Sequence, residues 1–226
     1  MDERTSGRME DFPDEPSGAP SSGPGLRRYD VPGQARALVL VLHGGKDCSS
    51  ARVKDTSLSW CRARGLARAL GRSLADEGVG VWALRHRTVG WNGDGADKVA
   101  DAHRALDQAA AELGDVPVVL VGHSMGGRTA CRTADHPLVR GVVALAPWLP
   151  PGDPVQALTG RELHAAHGRR DHVTRARDTR AYVERARSVT TAASFTDMGD
   201  RGHYLLRGVH AWNAFSLDRV RRVLDR

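Results

Sequence analysis

Apolar positions along the chain fall into short continuous runs alternating with longer stretches of three-and-four spacing. Ala35 to Leu42 (ARALVLVL) is nearly all apolar, as a strand buried on both faces requires. Leu66, Leu70 and Leu74 then recur every four residues and predict a helix over 62–77, with Gly78 as its stop. Val79 to Leu84 predicts a second strand, and Val99, Ala102, Leu106, Ala109 and Leu113 a second helix closed by Gly114. Pro117 to Val121 reads as a central strand, followed by a helix over 127–135. Val142 to Ala146 and Leu163 to Ala166 predict further strands, and 175–187 a helix. A last strand is expected around Ala193 and Phe195, with a closing helix begun by Val209, Trp212 and Phe215. Strands alternating with helices in this way predict about six parallel strands covered by helices on both faces.

Residues 1–25 break the pattern. They are rich in Pro, Gly, Ser, Asp and Glu, too polar to offset the loss of chain entropy on folding, and are expected to form a disordered tail ahead of a domain over 26–226. The opening residues lack the apolar stretch of a secretory signal, and no run reaches the length of a membrane span, so a cytoplasmic protein without a membrane partner is expected.

Composition refines this only slightly. With 40% hydrophobic and 27% charged residues the chain reads as globular. The net charge of +6 comes almost wholly from Arg spread between Asp and Glu, with no concentrated basic face and no recognition motif, so nucleic acid is not an expected partner. Cys48, Cys61 and Cys131 have no metal-ligand spacing and are expected to be free thiols.

The chemistry concentrates where the central strand ends. Gly122-His123-Ser124-Met125-Gly126 fits G-x-S-x-G, with an apolar strand before it and a helical pattern after it. A serine on such a turn projects its hydroxyl beside a helix N-terminus, where backbone N–H groups and the helix dipole can stabilise an oxyanion. A serine hydroxyl is a poor nucleophile unassisted; it needs a base, and the base needs an acid to hold its tautomer.

The stretches VLVLHGG, VVLVGHSMGG, ALAPW, HGRRD and GDRGH, spread over roughly 35–224, resemble the α/β-hydrolase superfamily in its capless, dienelactone-hydrolase-like and small-esterase branches. The resemblance implies a three-layer α/β-hydrolase fold, with a mostly parallel sheet and chain order serine, acid, histidine. It implies Asp171, in His167-Gly168-Arg169-Arg170-Asp171, as the acid, with Asp153, Asp197 and Asp200 as rivals and helix capping as the bland role. Among the ten histidines it implies His203; His210 falls in the closing helix and His172 lies too near Asp171. His43 and His123 are expected to be structural, and His164 and His167 are not expected to bind a metal. The oxyanion donors implied are the backbone N–H of Met125 and that of Gly45, with Lys46 as an alternative to Gly45.

The segment from Pro147 to Leu163 is too short for a large cap. An open site is expected, rimmed by Trp148, Leu149, Pro150, Trp91 and Asn92, with Lys46 and Arg87 as anion contacts. The function expected is hydrolysis of a small-molecule ester or thioester through an acyl-enzyme on Ser124, without a cofactor. An acyltransferase, a haloperoxidase-like enzyme or a non-catalytic binding protein on the same scaffold are the alternatives.

Overall fold

A computed structural model describes residues 24–225. Its elements are β1 (Gly25–Tyr29), β2 (Ala37–Leu42), α1 (Leu58–Leu74), β3 (Val79–Arg85), α2 (Ala96–Leu113), β4 (Val118–His123), α3 (Met125–Arg132), β5 (Val139–Leu145), β6 (Glu162–His167), α4 (Ala176–Ala186), β7 (Ala192–Asp197) and α5 (Val209–Leu224). The strands form one sheet in the order β1-β3-β2-β4-β5-β6-β7, with β2 to β7 parallel and β1 antiparallel to β3.

The period-two geometry of a strand divides the core into two layers. Leu38, Leu40 and Leu42 of β2 join Leu120, Val142 and Leu163 under α2, α3 and α4. Ala37, Val39 and Val41 face the other way, against Leu66, Leu70, Leu74, Trp212 and Val220 of α1 and α5. This is the three-layer architecture expected. The one strand the hydrophobic pattern does not show is β1. Gly-Leu-Arg-Arg-Tyr has no apolar run, because an edge strand needs only one side covered, and it is held partly by long polar side chains. Arg28 lies over the Trp82 ring at 4.2 Å and makes a bidentate pair with Glu112 at 2.7 and 2.9 Å.

Strand β1 also corrects the boundary of the expected tail, since Gly25 already pairs with Arg85. The remainder of that tail, up to residue 23, lies outside the described residues. Helix α3 starts at Met125 rather than near Gly127, and α1 starts at Leu58 rather than Arg62. Between β5 and β6, residues 146–161 hold a single 3-10 turn, Gln156–Leu158, and no cap. Among the described residues no helix is long and apolar enough to cross a membrane. The three cysteines are free; burial pushes the Cys131 thiol up to about 12.

Candidate active site

Strand β4 delivers Ser124 to the carboxyl edge of the sheet in a conformation that side chains rarely adopt, φ 55° and ψ −119°. Hydrogen bonds over-determine this turn. The Ser124 N–H donates to the Leu145 carbonyl at 3.1 Å, and its carbonyl accepts from the N–H groups of Gly127, Arg128 and Trp148 at 3.0, 3.2 and 3.1 Å. The flanking glycines follow from crowding. A Cβ on Gly122 would strike the Gly126 carbonyl, and one on Gly126 would strike the Leu42 carbonyl. Ser124 occupies the N-cap position of α3, yet its hydroxyl makes no cap bond. It lies 2.9 Å from His203 Nε2 instead.

His203 stands in the loop after β7, and its Nδ1 lies 2.8 Å from Asp171 Oδ2. The fold thus brings Asp171, rather than Asp153, Asp197 or Asp200, beside His203, and its two carboxylate oxygens have different surroundings. Oδ1 accepts the N–H groups of Val173 and Thr174, both at 2.8 Å, which is a capping geometry. Oδ2 faces His203, His167 Nε2 at 3.0 Å and the Thr174 hydroxyl at 3.0 Å. Burial pushes the Asp171 carboxyl up, but hydrogen bonds from His167, His203 and the Thr174 N–H outweigh it and hold the group well below the usual carboxylate range. An ionised Asp171 fixes the proton of neutral His203 on Nδ1 and leaves Nε2 as an acceptor facing the Ser124 hydroxyl.

The loop carrying His203 is tied to its surroundings through its main-chain carbonyls. His123 Nε2 donates to the His203 carbonyl at 2.8 Å, Arg169 N–H to the Gly199 carbonyl at 2.8 Å, and Arg170 N–H to the Arg201 carbonyl at 3.1 Å. Thr174 and His167 are the contributors that sequence reasoning missed. His167 is visible as the first residue of the HGRRD stretch, and Thr174 in its spacing of three from Asp171 ahead of a helix, but neither pattern announces a contact with the Asp171 carboxylate facing His203.

The turn His43-Gly44-Gly45 after β2 is pressed against Ser124. A Cβ on Gly44 would sit 3.3 Å from Ser124 Cβ, and one on Gly45 would strike the Val89 carbonyl and come within 2.5 Å of Met125 Sδ. His43 fixes how this turn lies. Its Nε2 accepts the His86 N–H at 3.1 Å, so Nδ1 carries the proton and donates to the Gly44 carbonyl at 2.6 Å. The Gly45 N–H belongs to the same planar peptide and points the opposite way. The Lys46 N–H is bonded to the Val89 carbonyl at 3.0 Å, which removes it as the alternative donor.

Burial, then the neighbouring His86, holds His43 down to about 3; burial, then His203, does the same for His123. Both are neutral in the fold and become protonated on unfolding below about pH 6.5. Stability is therefore complete above that value and declines as the pH falls from 6.5 towards 3, by roughly 1 kcal/mol per pH unit for each histidine. Thermal unfolding midpoints at pH 7 and pH 5 will show the loss; equal midpoints would contradict it.

The expected rim is only partly found. Lys46 is exposed and Trp148 half-buried, but Trp91 and Leu149 are 1% and 3% exposed and belong to the packing. Trp91 is covered because the Arg128 guanidinium lies over its ring at 4.2 Å and over that of Trp148 at 4.6 Å. Arg128 makes a bidentate pair with Asp153, both bonds 2.6 Å, so this rival acid is engaged elsewhere. Asp197 and Asp200 pair with Arg169 and Arg170. Arg87 pairs with the buried Asp101, and the Asn92 amide bonds Ser49. His164 bonds Ser194 and Glu162, on the opposite face of β6 from His167. Among the described residues no group of three or more His, Cys, Asp or Glu could hold a metal ion.

Residues 38–225 match the alpha/beta hydrolase family. The chain belongs to this family. Among solved folds this α/β hydrolase is similar to an alpha-beta serine hydrolase homologue from Coxiella burnetii, at 15% identity and TM-score 0.67, covering 87% of this chain and 91% of that one. Est1E from Butyrivibrio proteoclasticus, in a structure with bound ferulic acid, is 11% identical with TM-score 0.67 over 90% and 96%. An α/β serine hydrolase without a lid from Xanthomonas campestris is 15% identical with TM-score 0.64 over 91% and 97%. No curated protein sequence matches the chain.

Proposed function

We propose that the protein is a serine hydrolase that cleaves a small-molecule carboxylic ester or thioester through an acyl-enzyme on Ser124. The observation that carries this reading is the hydrogen-bonded chain from Ser124 Oγ to His203 Nε2 and from His203 Nδ1 to Asp171, 2.9 and 2.8 Å, at the start of a helix. Ser124 Oγ attacks the carbonyl carbon while its proton passes to His203 Nε2. The tetrahedral oxyanion is held by the N–H groups of Met125 and Gly45, and its collapse expels the alcohol or thiol, which takes the proton from His203. Water, deprotonated by the same nitrogen, attacks the acyl-enzyme; the bond to Ser124 Oγ breaks, Oγ takes the proton back from His203, and the acid is released. Asp171 keeps the imidazole oriented and stabilises its charged form throughout.

The test is turnover of p-nitrophenyl esters together with mass-spectrometric mapping of fluorophosphonate labelling. Hydrolysis and a single adduct on Ser124 are expected; no hydrolysis and no adduct would overturn the reading. The oxyanion assignment has its own test in Gly45→Ala, whose methyl group cannot enter without moving the turn away from Met125. Its kcat should fall by roughly a hundred- to a thousandfold. A kcat within threefold of wild type would remove Gly45 from the mechanism.

A further inference from the structure

Four large apolar side chains stand exposed among the described residues: Leu58, Val173, Tyr204 and Leu206, at 87%, 58%, 64% and 70%. Single exposed hydrophobics need no explanation, but these are not scattered. Val173 is two residues from Asp171, and its N–H bonds that carboxylate at 2.8 Å. Tyr204 follows His203 directly, its ring edge-on to the imidazole at 5.4 Å. Leu206 lies two residues further along the same loop, and the loops carrying Asp171 and His203 are joined by the Arg170 to Arg201 main-chain bond. Leu58 opens α1 one turn before Arg62, whose Nη2 donates to the Leu205 carbonyl at 3.2 Å.

The backbone is arranged to keep Tyr204 and Leu206 outside. Leu205 between them is 1% exposed and has φ 57°, a left-handed conformation that costs a bulky L-residue free energy. That conformation turns Leu205 into the core, and the side chains on either side of it stand in water. Strain of this kind, locked by Arg62 and placed next to the histidine that faces Ser124, is a mark of a functional surface.

We infer that Val173, Tyr204 and Leu206 form an apolar collar that takes the aliphatic chain of the substrate, so that the ester cleaved carries a medium-length alkyl or acyl chain. The inference rests on the serine hydrolase reading. Its physical basis is the absence of a cap between β5 and β6: among the described residues nothing covers the collar, and what removes it from water during reaction is the substrate's own chain, lying along the loops while its carbonyl sits at Ser124. A methylene laid on such an open apolar surface contributes about a twofold gain in kcat/KM, roughly half of its full burial on a logarithmic scale.

The experiment compares kcat/KM for p-nitrophenyl acetate and octanoate, below their micelle-forming concentrations, in the wild type and in a Tyr204→Ser, Leu206→Ser double variant. Because each ratio is taken within one protein, a lower folded fraction cancels. The wild-type ratio of octanoate to acetate should be roughly sixty, from six added methylenes, and should fall below about five in the double variant. An unchanged ratio in the double variant, or a wild-type ratio near one, overturns the collar while leaving the hydrolase reading intact. If Ser124 takes no fluorophosphonate and no ester is turned over, the hydrolase reading itself fails. Decanoate binding by calorimetry then decides the collar alone, with binding lost in the double variant in its favour and no binding against it. Co-sedimentation with phosphatidylcholine vesicles that depends on Tyr204 and Leu206, beside an unchanged ester ratio, would assign the surface to a bilayer and overturn the substrate-chain role.

Discussion

Replacing Ser124 with alanine should reduce ester turnover by roughly five to six orders of magnitude and abolish fluorophosphonate labelling, with the fold intact. The size of the effect follows from the proposed mechanism: with no hydroxyl, the base has nothing to deprotonate, and what remains is binding plus the oxyanion donors. The fold should persist because the Ser124 side chain bonds only to His203, while the turn is held by main-chain bonds to Leu145, Gly127, Arg128 and Trp148. Ser124→Gly adds a sharper expectation. Glycine adopts φ 55° without a Cβ penalty, so this variant should be equally inactive yet more stable than the alanine variant by about 1 kcal/mol. Chemical denaturation of the two variants side by side measures the difference. A glycine variant less stable than the alanine one would mean that the turn is not strained, and an alanine variant within tenfold of wild-type turnover would end the case for Ser124 as nucleophile.

The features that the sequence made legible share one property: each is imposed locally. The continuous apolar run of β2, the four-residue recurrence of Leu66, Leu70 and Leu74, and the glycines around Ser124 are dictated by geometry within a few residues. What was not legible depends on distant neighbours. β1 is a strand because β3 offers it an unpaired edge, and nothing inside Gly-Leu-Arg-Arg-Tyr announces that. Trp91 is expected at the rim from the sequence, but Arg128, Trp148 and Gly95, brought to it by other parts of the fold, cover its ring. The start of α3 was misplaced for a related reason. Gly126 and Gly127 are poor helix formers, but the close approach of Leu42 and Pro147 excludes any larger residue, and that packing overrides propensity. The contacts of His167 and Thr174 with Asp171 were not legible because they are a matter of side-chain convergence, visible only once β6 has set where the loop begins.

The second large effect is expected at Asp171, where the sequence left open a capping role as well as the acid's role. The geometry is compatible with both, on different oxygens: Oδ1 accepts the two N–H groups that a cap would, and Oδ2 meets His203, His167 and the Thr174 hydroxyl. Asp171→Asn separates them. An amide can keep its oxygen towards the N–H groups of Val173 and Thr174, which preserves the cap, but its NH2 group then points at His203 Nδ1. Two donors cannot share that contact, so the imidazole moves its proton to Nε2 and presents N–H, not a lone pair, to the Ser124 hydroxyl. The expected loss in kcat is about ten-thousandfold. His167 Nε2 faces the same amide, so stability should also fall, since one side of a buried charge-assisted network is lost. A residue that only capped the following turn would give the reverse signature, with stability changed by about 1 kcal/mol or less and kcat nearly untouched. Measuring kcat and the unfolding midpoint on the same preparation distinguishes the two, and a kcat within tenfold of wild type would reduce Asp171 to the cap and reopen the choice of acid.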